Sequence, residues 1–148
     1  MILIAPFAQK LRTGKENPKN YPFWKELIEL LKDYDLIQVG VDGEEQLTGD
    51  FRKSLGYKDL CRLVNECDLF ISVDSFLGHL GWYLGKKGIV LWGQSDPTIF
   101  GHDSNINLLK DRKYLRNNQF FWWEQAEFRN DCWITPQEVL CQIKKYQN

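Results

Sequence analysis

The chain has 148 residues, 43% hydrophobic and 14% aromatic, with 19 Lys and Arg against 20 Asp and Glu for a net charge of -1. That length and apolar content fit a single domain over residues 1–148 with one sizeable core, and exclude two full nucleotide-binding domains. Balanced charge without a block of like charges disfavours coating of nucleic acid, and no run reaches the roughly 18 apolar residues of a membrane span.

The chain opens with Met1, Ile2, Leu3, Ile4 and Ala5, a continuous apolar run ended by Pro6, as in a strand covered on both faces. No basic residue precedes it, so it lacks the layout of a secretory signal, and a soluble, cytoplasmic protein is expected. Residues 9–21 carry Lys10, Arg12, Lys15 and Lys19 with Gly14 and Pro18, which predicts an exposed, locally basic connection. Pro22 then suits the first turn of a helix reaching about Lys32, with Phe23, Leu27, Leu30 and Leu31 at helical spacing. Leu36 to Val39 predicts a second strand, closed by Gly40 and a polar turn over 42–45.

Residues 57–67 place Leu60, Leu63, Val64 and Cys67 on one helix face, and Leu69 to Val73 is the strongest strand in the chain. Asp74 and Ser75 interrupt it before a short buried helix over 76–84, stopped by Gly85, and a further strand over 88–92. Residues 106–109 suggest one more strand, residues 112–132 are polar and aromatic without a clear period, and Thr135 with Glu138 forms a capping-box pattern before a last helix. The alternation of strands and helices predicts an α/β fold, a Rossmann-like parallel sheet with helices on both faces. Cys61, Cys67, Cys132 and Cys141 form no C-x-x-C pair and have no nearby His, so buried free thiols are expected and a metal site is not.

Ligands of open parallel sheets bind outside the carboxyl ends of the strands. Four segments should reach that edge: the basic loop after the first strand, the Gly40 turn, Asp74 to His79, and Gly93 to Pro97. At Asp74 a helix opens directly after a buried strand, so unpaired backbone N–H groups and the positive end of a helix dipole invite phosphate. Asp74 or Ser75 can equally cap that helix, and His79 can be an interior histidine. Glu44, four residues after Gly40, suits the two hydroxyls of a ribose or is simply part of an exposed acidic turn. Lys19 can reach a diphosphate or stay solvated.

Taken in order, these segments resemble glycosyltransferase family 9, the heptosyltransferase type, over about residues 1–110 and more loosely over 132–146. The family's D-[ST]-G-x-x-H resembles Asp74-Ser75-Phe76-Leu77-Gly78-His79; its L-G-K-P resembles Leu84-Gly85-Lys86-Lys87; its F-G-x-[ST]-D-P resembles Trp92-Gly93-Gln94-Ser95-Asp96-Pro97; its K-x-W-P resembles Lys19-Asn20-Tyr21-Pro22. The resemblance implies the carboxyl-terminal, donor-binding half of a GT-B fold, with Lys19, Glu44 (or Glu45), Asp74, Ser75, Gly78, His79 and Gly93 around a nucleotide-diphosphate sugar such as an ADP-sugar. It implies inverting transfer without a metal or other cofactor. Phe76 replaces the signature glycine, and the half that holds the acceptor and supplies the acidic base is not in this sequence. An acceptor-domain protein or self-association is therefore an expected partner, with a non-catalytic nucleotide-sugar-binding module and a pure interaction domain as the alternatives. The cluster Phe120, Phe121, Trp122 and Trp123 reads first as core; exposed, it would mark a partner surface.

Overall fold

The computed structural model describes residues 1–120 and 123–148. Five apolar segments and one polar one pair into a single all-parallel sheet: β1 (Ile2–Ala5), β2 (Leu36–Gly40), β3 (Asp50–Lys53), β4 (Leu69–Val73), β5 (Gly88–Trp92) and β6 (Ile106–Leu109). Their spatial order is β3-β2-β1-β4-β5-β6. Such pairing needs crossovers, and the crossovers supply the helices α1 (Trp24–Leu30), α2 (Tyr57–Glu66) and α3 (Phe76–Tyr83). A short α4 (Pro97–Phe100) follows β5, and α5 (Pro136–Gln147) closes the chain. Parallel pairing puts all six carboxyl ends on one edge. The order reverses at β1, which pairs with β2 on one side and β4 on the other.

Side chains alternate across the sheet. Ile2, Ile4, Leu69, Ile71, Val73, Ile89 and Leu91 face α1 and α5, while Leu3, Phe70, Val90, Ile37 and Val39 face α2 and α3. The strands are thus buried on both faces, which is why they read as unbroken apolar runs. Beneath α3 the Phe70 ring fills a slot between Gly81 of that helix and Gly88 of β5, where a Cβ at either glycine would overlap the ring. Gly85 takes a positive φ of 70° and turns the chain out of α3.

The structure corrects the expectations in several places. β3 is an additional strand, and α1 begins at Trp24, two residues beyond Pro22. All four thiols are free, yet only Cys67 and Cys132 are buried, with Cys141 exposed. Phe120 is 69% exposed rather than core; Phe121 and Trp122 lie outside the described residues. The capping box forms at α5, where the Thr135 hydroxyl accepts from Glu138 N and the Glu138 carboxylate accepts from Thr135 N at 2.7 Å. Among the described residues no helix is long and apolar enough to cross a membrane.

Candidate functional site

The loop after β1 is held by amide side chains. Asn20 Oδ1 accepts from Ala8 N at 2.8 Å, Asn17 Nδ2 donates to Gln9 O at 2.7 Å, and Asn17 Oδ1 accepts from Lys19 N at 2.9 Å. Trp24 Nε1 on α1 donates to Pro6 O at 2.9 Å. The loop so folded carries Lys19 across the point where strand order reverses, and Lys19 Nζ reaches Asp74 Oδ2 at the end of β4, 2.8 Å away. A loop that reads as an exposed connection is therefore partly buried, with Asn17 and Asn20 inside.

Asp74 leads into α3. Ser75 occupies the N-cap position in an extended conformation, but its hydroxyl makes no capping hydrogen bond, whereas Asp96 at α4 and Thr135 at α5 both cap with their side chains. Capping is thus not the role of Ser75, and amides of the first turn of α3 face the carboxyl edge of the sheet. Gly78 lets the helix sit close on the strands, since a Cβ there would lie 3.3 Å from Val90. His79 is exposed rather than interior, and its Nδ1 lies 2.8 Å from His102 Nε2.

Glu44 is placed by two features of β2. Gln38, fully buried, donates from Nε2 to Glu45 O at 2.8 Å and accepts from Leu47 N at 2.7 Å, which straps the following turn to the sheet. The absence of a side chain at Gly40 then lets the Glu44 carboxylate lie over the strand end, where a Cβ would overlap it. Burial lifts the Glu44 carboxyl above its usual range, opposed by a hydrogen bond to the Val41 backbone and the charge of Lys10. Glu45 instead pairs with Lys25 at 2.8 Å. The geometry favours Glu44 over its neighbour.

Lys19, Glu44, Asp74 and Ser75 line one open cleft of about 750 Å³, together with Phe76 and the apolar Leu55, Leu60 and Leu77. Phe76, 59% exposed, forms part of the wall and leaves the cleft open. Gly78 and His79 line a small recess beside it, shared with Asp74 and Ser75. Gly93 lies apart, in a second recess with Lys19 and Asp74. Its missing side chain is occupied by Trp133, to whose indole a Cβ would come within 2.6 Å.

Arg116 lines the same recess, and no local pattern in the sequence marks it. Its guanidinium is fixed by Ser95 Oγ at 2.6 Å and Gln119 O at 2.7 Å. Burial lowers its pKa, and the charge of Asp74 opposes that effect. Lys19 and the first turn of α3 thus border the cleft, with Arg116 in the smaller recess that shares Lys19 and Asp74 with it. The sequence does contain a D-x-D, Asp33-Tyr34-Asp35, but it precedes β2 at the amino edge of the sheet, across from the cleft.

Asp96, of the last motif, works structurally. Two hydrogen bonds from Arg112, at 3.1 and 2.6 Å, and one from Thr98 N at 2.9 Å hold its carboxylate. Chiefly through Arg112, its pKa falls from 3.8 to about 2. The unfolded chain therefore binds more protons between these values, so the stabilisation is complete above the unfolded pKa and lost as pH falls through the folded one. Asp96→Asn should flatten part of the decline in melting temperature on acidification from about pH 4 to pH 2; an unchanged acid slope would refute this role.

Residues 54–133 match the profile of Glycosyltransferase family 9 (heptosyltransferase). No curated protein matches the sequence. Among solved structures, the chain is similar to E. coli ADP-heptose lps heptosyltransferase II, with 19% identity, a TM-score of 0.67, and coverage of 98% of this chain and 45% of that one. It is also similar to the iron-containing dodecameric glycosyltransferase TibC of enterotoxigenic E. coli, with 18% identity, a TM-score of 0.72, and coverage of 99% and 46%. E. coli heptosyltransferase WaaC with ADP gives 18% identity, a TM-score of 0.65, and coverage of 97% and 43%. The chain spans less than half the length of each of these proteins.

Proposed function

The chain belongs to glycosyltransferase family 9, and from that premise we propose that it binds the nucleoside diphosphate of a nucleotide sugar, ADP-linked, as the donor-binding part of an inverting, metal-independent transferase. The observation that carries the reading is the convergence of Lys19, Glu44, Asp74 and the uncapped first turn of α3 on one cleft, at the point where strand order reverses. The structures of relatives solved with ADP or ADP-heptose support the choice of adenine nucleotide.

In such a transfer the acceptor hydroxyl attacks the anomeric carbon, the bond to the diphosphate breaks, and charge grows on the departing phosphate oxygens. Lys19 and the α3 amides stabilise that charge, the task a divalent metal performs in other transferases. Glu44 takes the ribose hydroxyls. The base that removes the acceptor proton is not assigned among these residues; the exposed ring of Phe120 offers one apolar contact for whatever supplies the acceptor half.

A panel of nucleoside diphosphates and their sugar derivatives tests the reading by thermal shift. A ligand at a hundredfold excess over its Kd should add about 3 kcal/mol of stability, a rise of about 6–12 °C in Tm for a chain of this size. A transfer or hydrolysis assay on the binders then separates enzyme from binding module. No shift with any member of the panel would refute the proposal.

A further inference from the structure

Resting on the donor-binding reading, we propose that His102 is a positioning residue: it fixes His79 in the tautomer protonated on Nε2, so that His79 presents an N–H to an anionic oxygen of the bound diphosphate. His79 lies on α3 and His102 on the connection between α4 and β6. Their facing nitrogens, His79 Nδ1 and His102 Nε2, are 2.8 Å apart with the rings at 90°, so the plane of one ring meets the other at a hydrogen-bonding edge. Both residues line the recess at the start of α3 with Asp74 and Ser75.

His102 is itself held on three sides. Trp82 stacks on its ring at 4.3 Å and 3°. Its carbonyl accepts from Asn105 N and from Asn107 Nδ2, each at 3.0 Å, and Asn107 Oδ1 accepts from Trp92 Nε1 at 2.9 Å. Desolvation and then the neighbouring His79 lower the pKa of His102, with Asp103 opposing, which favours its neutral form. When both imidazoles are neutral they share one hydrogen across such a contact, and only two arrangements exist.

In one, His102 donates from Nε2 to His79 Nδ1, and His79 carries its proton on Nε2. In the other, His79 donates from Nδ1 and leaves a bare lone pair on Nε2. A lone pair beside a phosphate oxygen is repulsive, while an N–H there is a charge-assisted donor. The first arrangement also gives both rings the Nε2–H form that free histidine prefers. The motif histidine therefore depends on a second histidine 23 residues away, much as metal-bound imidazoles depend on the partner of their other nitrogen.

The chain contains only two histidines, so ¹⁵N-histidine labelling reads both rings directly in the intact protein. At pH 8 the expected spectrum has His79 protonated on Nε2 and bare on Nδ1, and inorganic pyrophosphate or ADP shifts the Nε2 resonance. His102→Ala should let the His79 tautomers mix and weaken binding of both probes about tenfold. His102→Gln, whose amide N–H can still donate to Nδ1, should restore the tautomer and the affinity. A His79 protonated on Nδ1 in the bound wild-type protein overturns the inference, as does an equal effect, or no effect, of the Ala and Gln changes. Binding of neither probe by the wild-type protein overturns the donor-binding reading and the role of His102 with it; binding with the wrong tautomer overturns this inference alone.

Discussion

Phe70→Ala should destabilise the fold by about 3–5 kcal/mol, lowering Tm by roughly 6–20 °C. Phe70 has no exposed surface, and its ring occupies a slot that Gly81 and Gly88 leave by having no side chains. Neither glycine can relax into the void with a side chain of its own, so the cavity left by truncation persists unless α3 itself moves toward the sheet. That movement would carry the first turn of α3 away from the cleft, and weaker nucleotide binding should accompany the loss of stability. The converse change overpacks the slot: Gly81→Ala or Gly88→Ala should cost about 1–3 kcal/mol, and Phe70→Leu should recover part of it. By comparison Tyr83→Ala, on the exposed side of the same helix, should stay within about 0.5 kcal/mol of wild type. Thermal and denaturant melts measure all of these, and a Phe70→Ala protein as stable as the Tyr83→Ala one would show that the slot does not bear the helix.

The slot also illustrates what the sequence could reveal. β1, β4 and β5 were legible because burial on both faces leaves unbroken apolar runs, and α5 was legible because Thr135 and Glu138 declare its start chemically. β3 carried no such signal: Asp50, Phe51, Arg52 and Lys53 form an edge strand with mostly exposed residues, so neither alternation nor continuous hydrophobicity marks it. Within the site, the motif residues could be read because they follow strand ends in a fixed order. What could not be read was their support. Asn17 and Asn20 look like loop asparagines until the backbone of residues 8–19 folds around them. Arg116 and His102 reach partners 21 and 23 residues away across intervening helices and strands. Gly93 sits in a family motif, yet what fills its space is Trp133. Local spacing reports local constraints, and these five residues depend on tertiary contacts.

The Lys19–Asp74 pair should separate stability from binding. Asp74 is about nine-tenths buried and Lys19 is 23% exposed, so removing the lysine leaves a carboxylate with little water. Loss of one member of a fully buried pair costs about 3–5 kcal/mol; partial exposure of Lys19 and the nearby guanidinium of Arg116 reduce the expected cost of Lys19→Met to about 2–3 kcal/mol. Asp74→Asn should cost less, because the lysine can turn toward solvent. In the Asp74→Asn background the lysine change should lose much of its effect, giving a coupling of about 1–2 kcal/mol in a double-mutant cycle. Binding should follow a different pattern. Lys19→Met removes the cation that faces the diphosphate and should weaken pyrophosphate binding about ten- to a hundredfold, whereas Asp74→Asn removes a negative charge beside the same ligand and should leave that binding intact or tighten it. Calorimetric titration with inorganic pyrophosphate, on variants shown to be folded, checks the second pattern. Equal losses of binding from both single changes would mean that Asp74 itself is needed to hold the ligand, and that orienting Lys19 is only part of its work.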